Sequence, residues 1–484
     1  MNYIPRVTLF ISILLICSYS FAQVKFIDSG QALGNSTSNC VVLGDIDSDG
    51  DLDAVVANGA YDSNQDVEIW INNGSGVFTK SNQQLNHGKN MAVSLADLNG
   101  DGSIDIFLCT GFGDPNKVFF NDGHGNFTDS GQRLGNVNSS KACLADLDGD
   151  KDFDAFICVH PLWENGHDVK FGNEVWINNG TGNFTNTGQK LGVGYNTGAS
   201  IGDVDGDGDI DAASASNFQN VGNKIWLNDG NGNFSVSNQV LSTKNSLDLS
   251  FGDLDNDGDL DAFVIYFDST SPFCCGVWYN DGKGNFTQSE QKFGTTPSTS
   301  VCLSDVDKDG DLDAFVTGGK YLEKRTSYVW LNNGKGIFAD SLVIGYAESW
   351  DAKLGDLDGD GDVDAFIANN GPNKVYINNL LTGVGNNTKS IPLELNLDQN
   401  YPNPFNPSTN IQYSLSKPSQ VKLSIYNLLG QEIRMLKDSF QTAGEYSLMW
   451  DATDDSNNAV CSGIYFYNLQ AGNTSFQKKM VLVR

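Results

Sequence analysis

Histidine is nearly absent from this chain, with His87, His124, His160 and His167 the only four in 484 residues. There is also no G-x-S-x-G elbow, no H-E-x-x-H pair and no phosphate-binding glycine loop. Nucleophilic, zinc-hydrolytic and nucleotide-dependent chemistries therefore lack sequence support. Positive charge is scarce too: 29 Lys and Arg stand against 60 Asp and Glu, for a net charge of −31. That balance excludes a nucleic-acid partner, because phosphate contacts demand clustered cations. The nine cysteines include no C-x-x-C spacing and match no dense disulfide framework, leaving adjacent Cys274 and Cys275 as the one pair worth testing. Cys143 and Cys302, each three residues before an acidic string, read as small buried hydrophobes. After the first 22 residues no stretch approaches the roughly 18 apolar residues that cross a bilayer. Nor does the 3.6-residue period of an amphipathic helix occur in residues 24–381.

The chain opens with Arg6, the apolar run VTLFISILLIC and the small-residue sequence SFA before Gln23, the pattern of a secretory signal over residues 1–22. Ile16 before Cys17 disfavours a lipid-anchored cysteine. The mature protein is expected to be exported, either secreted or held at the outer cell surface.

Acid is concentrated in seven strings that begin at residues 45, 97, 146, 203, 253, 305 and 356, spaced 49–57 residues apart. They read DIDSDGDLD, DLNGDGSID, DLDGDKDFD, DVDGDGDID, DLDNDGDLD, DVDKDGDLD and DLDGDGDVD, and hold 33 of the 60 acidic residues. Short alternating apolar runs flank each string. A third run with an aromatic and an Asn/Gly turn follows, as in VWINNGTGNF (175–184), and then a fourth. Four short strands per unit of about 50 residues, repeated seven times, predict an all-β, seven-bladed β-propeller.

Carboxylates this dense repel one another unless a cation sits among them, and hard oxygen ligands at this spacing suit Ca²⁺. Positions 1, 3, 5 and 9 hold the candidate ligands. In the first string these are Asp45, Asp47, Asp49 and Asp53; in the second Asp97, Asn99, Asp101 and Asp105; in the third Asp146, Asp148, Asp150 and Asp154; and in the fourth Asp203, Asp205, Asp207 and Asp211. The remaining three supply Asp253, Asp255, Asp257 and Asp261; Asp305, Asp307, Asp309 and Asp313; and Asp356, Asp358, Asp360 and Asp364. Position 12 of the first string is Val56 rather than Glu and the flanks are strand-like, so this is not an EF-hand. Position 4 varies freely, and the position 7 side chain is expected to point outward. Asn99 and Lys151, which replace a carboxylate and a glycine, mark the second and third loops as the weakest of up to seven structural Ca²⁺ sites.

These strings and their frame, over residues 24–381, resemble the FG-GAP/VCBS repeat of integrin-alpha-like propellers. The resemblance implies Ca²⁺ in the hairpin between each blade's two inner strands. Residues 382–397 read as a linker. Residues 398–484 read as a small Ig-like β-sandwich resembling the C-terminal sorting domain of the type IX secretion pathway. That resemblance implies type IX machinery as a partner; an ordinary accessory domain is the alternative. The opening stretch VKFIDSGQALG (24–34) copies a repeat's tail: Phe26, Ser29, Gln31 and Leu33 align on Phe127, Ser130, Gln132 and Leu134. The seventh repeat lacks this tail, so residues 24–34 are expected to supply the outer strand of the last blade.

Strand alternation places the loops between second and third strands opposite the acidic hairpins. Those loops carry Tyr61, Phe112, Trp163, Phe218, Tyr266, Phe267, Phe273 and Tyr321, and the interblade links add Tyr195, Tyr346 and Trp350. Exposed aromatics of this kind suit a glycan or protein ligand. The leading expectation is a monomeric binding or adhesion module. A polysaccharide-degrading enzyme using the same face and a purely structural surface component are the alternatives.

Overall fold

The computed structural model describes residues 24–483 apart from 61–62, 136, 165–166, 170–171, 193, 218–220, 267–273, 295–297, 320–325, 381–395, 398, 401–402, 404, 406–407, 416–418, 442–443, 455–459 and 472–473. The signal reading, most of the linker, and Tyr61, Phe218, Phe267, Phe273 and Tyr321 lie outside the described residues. Every described element longer than a turn is a β-strand. The chain divides into two compact units, Met1–Leu381 and Thr382–Arg484.

The first unit is built from repeated antiparallel sheets. Five are four-stranded; one runs Asn90–Ala96, Asp105–Thr110, Lys117–Asn121, Phe127–Asp129. A further sheet is the two-stranded pair Leu162–Glu164 and His167–Val169, and another of nine strands joins the first repeat to the seventh. Leu33–Gly44 pairs with Asp364–Asn378 through Leu33 and Asn373, Ser36 and Gly371, and Thr37 and Asn370. Phe26–Asp28 lies antiparallel on the same strand, with Phe26 opposite Asn378 and Asp28 opposite Tyr376.

The second strand of each repeat is the most deeply buried, because both of its faces meet apolar neighbours. DIFLCT (105–110) and DAFVIY (261–266) are buried at every residue, so these strands are continuous buried runs rather than the alternating ones expected. Apolar clusters form between consecutive sheets. Phe107, Cys109 and Val118 pack with Ala155, Ile157 and Trp176 of the next repeat, and Val41, Val56 and Trp70 pack with Phe366 and Val375 across the junction of first and last. In four of the six Gly-x-Phe turns the phenylalanine meets the preceding repeat edge-on: Phe184 with Phe107, Phe234 with Phe156, Phe338 with Phe263, and Phe78 with Phe366.

Three polar clips repeat around the unit. The Asn that ends each third strand donates its side-chain amide to the position 2 carbonyl of the preceding acidic loop. Asn121 reaches Ile46, Asn178 Leu98, Asn228 Leu147, Asn280 Val204, Asn332 Leu254, Asn378 Val306 and Asn72 Leu357. The glutamine of the S-G-Q tail spans the next hairpin: Gln132 binds Gly182 O and Phe184 N–H, and Gln31 binds Gly76 O and Phe78 N–H. Hydroxyls at the start of the inner strands bond forward, Ser140 to Asn196 O and Thr299 to Ser349 O.

In the second unit, a three-stranded sheet (Asn396–Leu397, Thr409–Leu415, Gly444–Trp450) and a four-stranded one (Glu432–Gln441, Ser419–Asn427, Gly463–Ala471, Thr474–Leu482) share one core. At its centre Trp450 is fully buried, donates Nε1–H to Thr453 O, and contacts the rings of Phe405 and Tyr465.

Candidate metal centres

Each acidic string joins a repeat's first strand to its second. Its position 1 carboxylate accepts the backbone N–H groups that the turn frees: Asp45 Oδ1 takes Asp49 N–H at 3.1 Å and Oδ2 takes Gly50 N–H at 3.1 Å. Position 9 begins the buried second strand and is itself fully buried. Asp53 accepts Ile46 N–H at 3.3 Å and Asn72 N–H at 2.7 Å, and its six counterparts do the same in their own repeats.

Positions 1, 3 and 9 converge. In the groups Asp45–Asp47–Asp53, Asp146–Asp148–Asp154, Asp203–Asp205–Asp211, Asp253–Asp255–Asp261 and Asp305–Asp307–Asp313, one oxygen from each residue lies within 4.8 Å of the others. In four of these loops the position 3 oxygen, Oδ1 of Asp47, Asp205, Asp255 or Asp307, is buried without a hydrogen-bond partner. An orphaned carboxylate oxygen facing two more carboxylates fits a cation held among them, since a buried acceptor otherwise finds a donor. The donor set is all oxygen, which suits a hard divalent ion. Burial, and secondarily the neighbouring carboxylates, pushes the position 9 acids upward: Asp53, Asp154, Asp261 and Asp364 to about 7, Asp105 and Asp211 to about 6, and Asp313 to about 8.

Position 5 does not enter those five groups. Its carboxylate instead accepts the position 7 N–H, as Asp49 does at 3.0 Å and Asp101 at 2.8 Å. Asn99 likewise accepts the Asp101 N–H at 2.9 Å. Position 7 differs from the outward orientation expected for it. Asp51, Asp209, Asp259 and Asp311 lie half-buried against Gly74, Gly230, Gly282 and Gly334 of the repeat's own third-strand turn, where an added Cβ would strike the carboxylate. Position 4 is also constrained. Both position 4 and position 6 take positive φ in all seven loops, including Ser48 (64°), Asn256 (62°) and Lys308 (58°) at position 4 and Lys151 (78°) at position 6. Two position 4 side chains reach the next loop: Lys308 Nζ lies 2.7 Å from Asp362 Oδ1, and Asn256 Nδ2 donates to Asp311 Oδ1 at 2.6 Å.

The aromatic candidates scatter. Tyr266 is a correction: it is 2% exposed, because its ring ends a wholly buried strand, and its hydroxyl accepts Trp278 Nε1–H at 3.2 Å. Tyr346 is 77% exposed. Phe112 is half-buried beneath Lys89 Nζ, which stands 4.6 Å from the ring centre, and Tyr195 is half-buried edge-on to His160. Trp163 lies in the strand Leu162–Glu164, which pairs with His167–Val169. Trp350 is half-buried and lines a cavity of about 220 Å³.

That cavity exposes a cluster the sequence reading missed. Each of the seven inner strands has a register shift near its start, at Asn39, Met91, Ser140, Thr197, Leu247, Thr299 and Trp350, and all seven residues line the one cavity. Beneath them Lys141 Nζ pairs with Asp248 Oδ1 at 2.9 Å and Lys353 Nζ with Asp351 Oδ1 at 3.0 Å. Ser300 Oγ stands 3.0 Å from Asp248 and 2.9 Å from Asp351, donating to one at a time. Burial opposes charge on Asp351, but Lys353 and Lys141 outweigh it and hold the carboxyl below its usual range. The available signal was a charged residue at inner-strand positions where other repeats carry Cys40, Ala92 or Gly198.

Repeated four-stranded sheets, each with an acidic loop between its first two strands, make a β-propeller architecture. The chain carries FG-GAP-like repeats, matched at residues 45–108, 97–157, 203–264 and 305–365, and ends in a secretion system C-terminal sorting domain, matched at 399–483. The sorting domain links the protein to type IX secretion and to a cell-surface or extracellular location. No curated protein matches the sequence. Among solved structures, the chain is similar to BBS1N in complex with ARL6DN (10% identity, 75% of this chain and 98% of that one, TM-score 0.49). It is also similar to PorZ, a surface component of the type IX secretion system of Porphyromonas gingivalis (13%, 90% and 58%, TM-score 0.41). A third is Bacillus licheniformis rhamnogalacturonan lyase PL11 (15%, 73% and 75%, TM-score 0.40). No helix among the described residues is long and apolar enough to cross a membrane.

Proposed function

We propose that the protein is an exported, calcium-stabilised, seven-bladed propeller that binds a glycan or protein partner, its C-terminal unit being an Ig-like sandwich that engages the type IX machinery. The observation that carries the calcium reading is the set of buried, unpartnered position 3 oxygens facing the carboxylates of positions 1 and 9. Positions 1, 3 and 9 would hold the ion and position 5 would complete the shell through its second oxygen. The bound ion neutralises repulsion and thereby fixes the hairpin. Residues 24–34 act as the closing strand of the ring, a reading supported by the pairing of Phe26–Asp28 with the seventh repeat.

Binding is assigned to the face opposite the acidic hairpins, where Tyr346 is exposed and Phe112, Tyr195 and Trp350 are half-buried. Immobilised polysaccharides and extracellular proteins, probed with the intact chain in Ca²⁺, test this. Saturable binding that weakens on Tyr346→Ala supports it. Retention of nothing would leave a structural surface component, and release of reducing ends or unsaturated products would make the protein an enzyme.

A further inference from the structure

We propose that Cys274 and Cys275 form a vicinal disulfide that locks the start of the fifth repeat's third strand. Neighbouring residues of a regular strand point to opposite faces, which would hold their sulfurs well apart. Here the sulfurs converge to 3.2 Å, with both side chains buried. A disulfide at about 2.05 Å requires them to close by roughly 1 Å.

The backbone around the pair is fixed on both sides. Cys274 N–H donates to Gly294 O at 3.1 Å, and Cys274 O accepts Tyr266 N–H at 2.7 Å. Cys275 lies in register with Ile265 and bridges to Phe293. Space for the sulfurs is built in: Gly294 has φ +70°, and a Cβ there would strike Cys274 Sγ and crowd Cys275 Sγ at 3.1 Å.

The other repeats use this place differently. Five residues before the third-strand asparagine, the second, third, fourth and seventh repeats carry Asn116, Asn173, Asn223 and Asn373, and the first three bind inner-strand partners such as Ser139 and Ser246, whereas the first and sixth carry Val67 and Ser327. The fifth repeat puts Cys275 at that position, and Ser298 Oγ donates to Cys274 Sγ at 3.5 Å instead. Gly34 and Gly135, the tail glycines equivalent to Gly294, face Glu68 of the first repeat and Glu174 of the third. Gly276 stands in the glutamates' place in the fifth repeat, where the Tyr266 ring fills the space beside it. One repeat has thus exchanged a polar clip for two thiols in contact.

Oxidation proceeds by exchange with a protein or small-molecule disulfide. One cysteine, as thiolate, attacks a sulfur of that disulfide and expels a thiolate; the other cysteine then displaces the mixed disulfide. Two protons and two electrons leave the cysteine pair, and the exchange partner departs as two thiols. Burial pushes the Cys275 thiol well above its ordinary range, so exchange is slow once the strand has docked and the bond belongs to folding.

The intact protein, refolded in Ca²⁺ with a glutathione/glutathione disulfide buffer, is unfolded without reductant, alkylated, digested and weighed. The peptide spanning 274 and 275 is expected unlabelled and about 2 Da light, and it gains two alkyl groups after reduction, while exposed Cys461 labels without reduction. Two alkyl groups on that peptide before reduction would overturn the proposal, as would its recovery cross-linked to another cysteine peptide or to glutathione.

Discussion

Lys151 sits at φ 78° in the third acidic loop, where the other six loops have glycine. A side chain in that conformation costs about 1–2 kcal/mol, partly offset by the roughly 0.5–1 kcal/mol a glycine loses in the unfolded chain. Lys151→Gly should therefore raise stability by up to about 1 kcal/mol, measured by denaturant melts in Ca²⁺; a loss of stability would refute the strain argument. The position 9 carboxylates make a second residue-scale prediction. Their pKa values are raised when folded, to about 7 for Asp53 and about 8 for Asp313, against an ordinary 3.8. Without an ion, the folded state therefore binds more protons than the unfolded chain between pH 4 and 8, and stability falls as pH rises through that window. Chelated protein should melt higher at pH 5 than at pH 8, and added Ca²⁺ should stabilise far more at pH 8 than at pH 5. Equal Ca²⁺ effects at both values would show that these acids do not face the ion.

At the scale of elements, repeats are coupled by clips that each join one strand end to the neighbouring acidic loop. Asn72 bridges the first repeat to Leu357 of the seventh, and its amide is buried. Replacing it with Ala removes that bond at a cost of about 0.5–1.5 kcal/mol, since the Leu357 carbonyl keeps the Gly76 N–H at 2.7 Å. Removing residues 24–34 should cost more, because it strips the seventh repeat of a paired strand and the first of Gln31. Both variants are expected to lower the single melting transition of the first unit, the deletion further; a deletion that melts like the intact protein would refute ring closure. The likeness of residues 24–34 to 125–135 is visible in the sequence, but their docking on Tyr376–Asn378 is a tertiary fact. Strand periodicity was legible for the same local reason, since alternation is a property of a few consecutive residues. Tyr266 was misread because its burial comes from strands dozens of residues away.

For the whole molecule, the acidic strings carry more than half of the acidic residues, so the fold concentrates repulsion that only cations relieve. Excess chelator should lower the melting temperature of residues 24–380 sharply and reversibly. The second unit, with its Trp450-centred core and none of the seven acidic strings, should be unaffected. Calorimetry that follows both transitions checks this, and an unchanged first transition would defeat the calcium reading.

The sequence alone determined the repeat unit, the seven acidic loops, the all-β class and the sorting domain. Each of these is written in residues near one another along the chain: nine in a loop, about fifty in a repeat. The tertiary structure decided which carboxylates meet, that position 4 is as constrained as position 6, and that Lys141, Asp248, Ser300, Asp351 and Lys353 converge where the inner strands gather. Those residues lie as much as 212 positions apart in sequence, from 141 to 353. Their meeting follows from the register of seven strands around a common cavity, which no local pattern encodes.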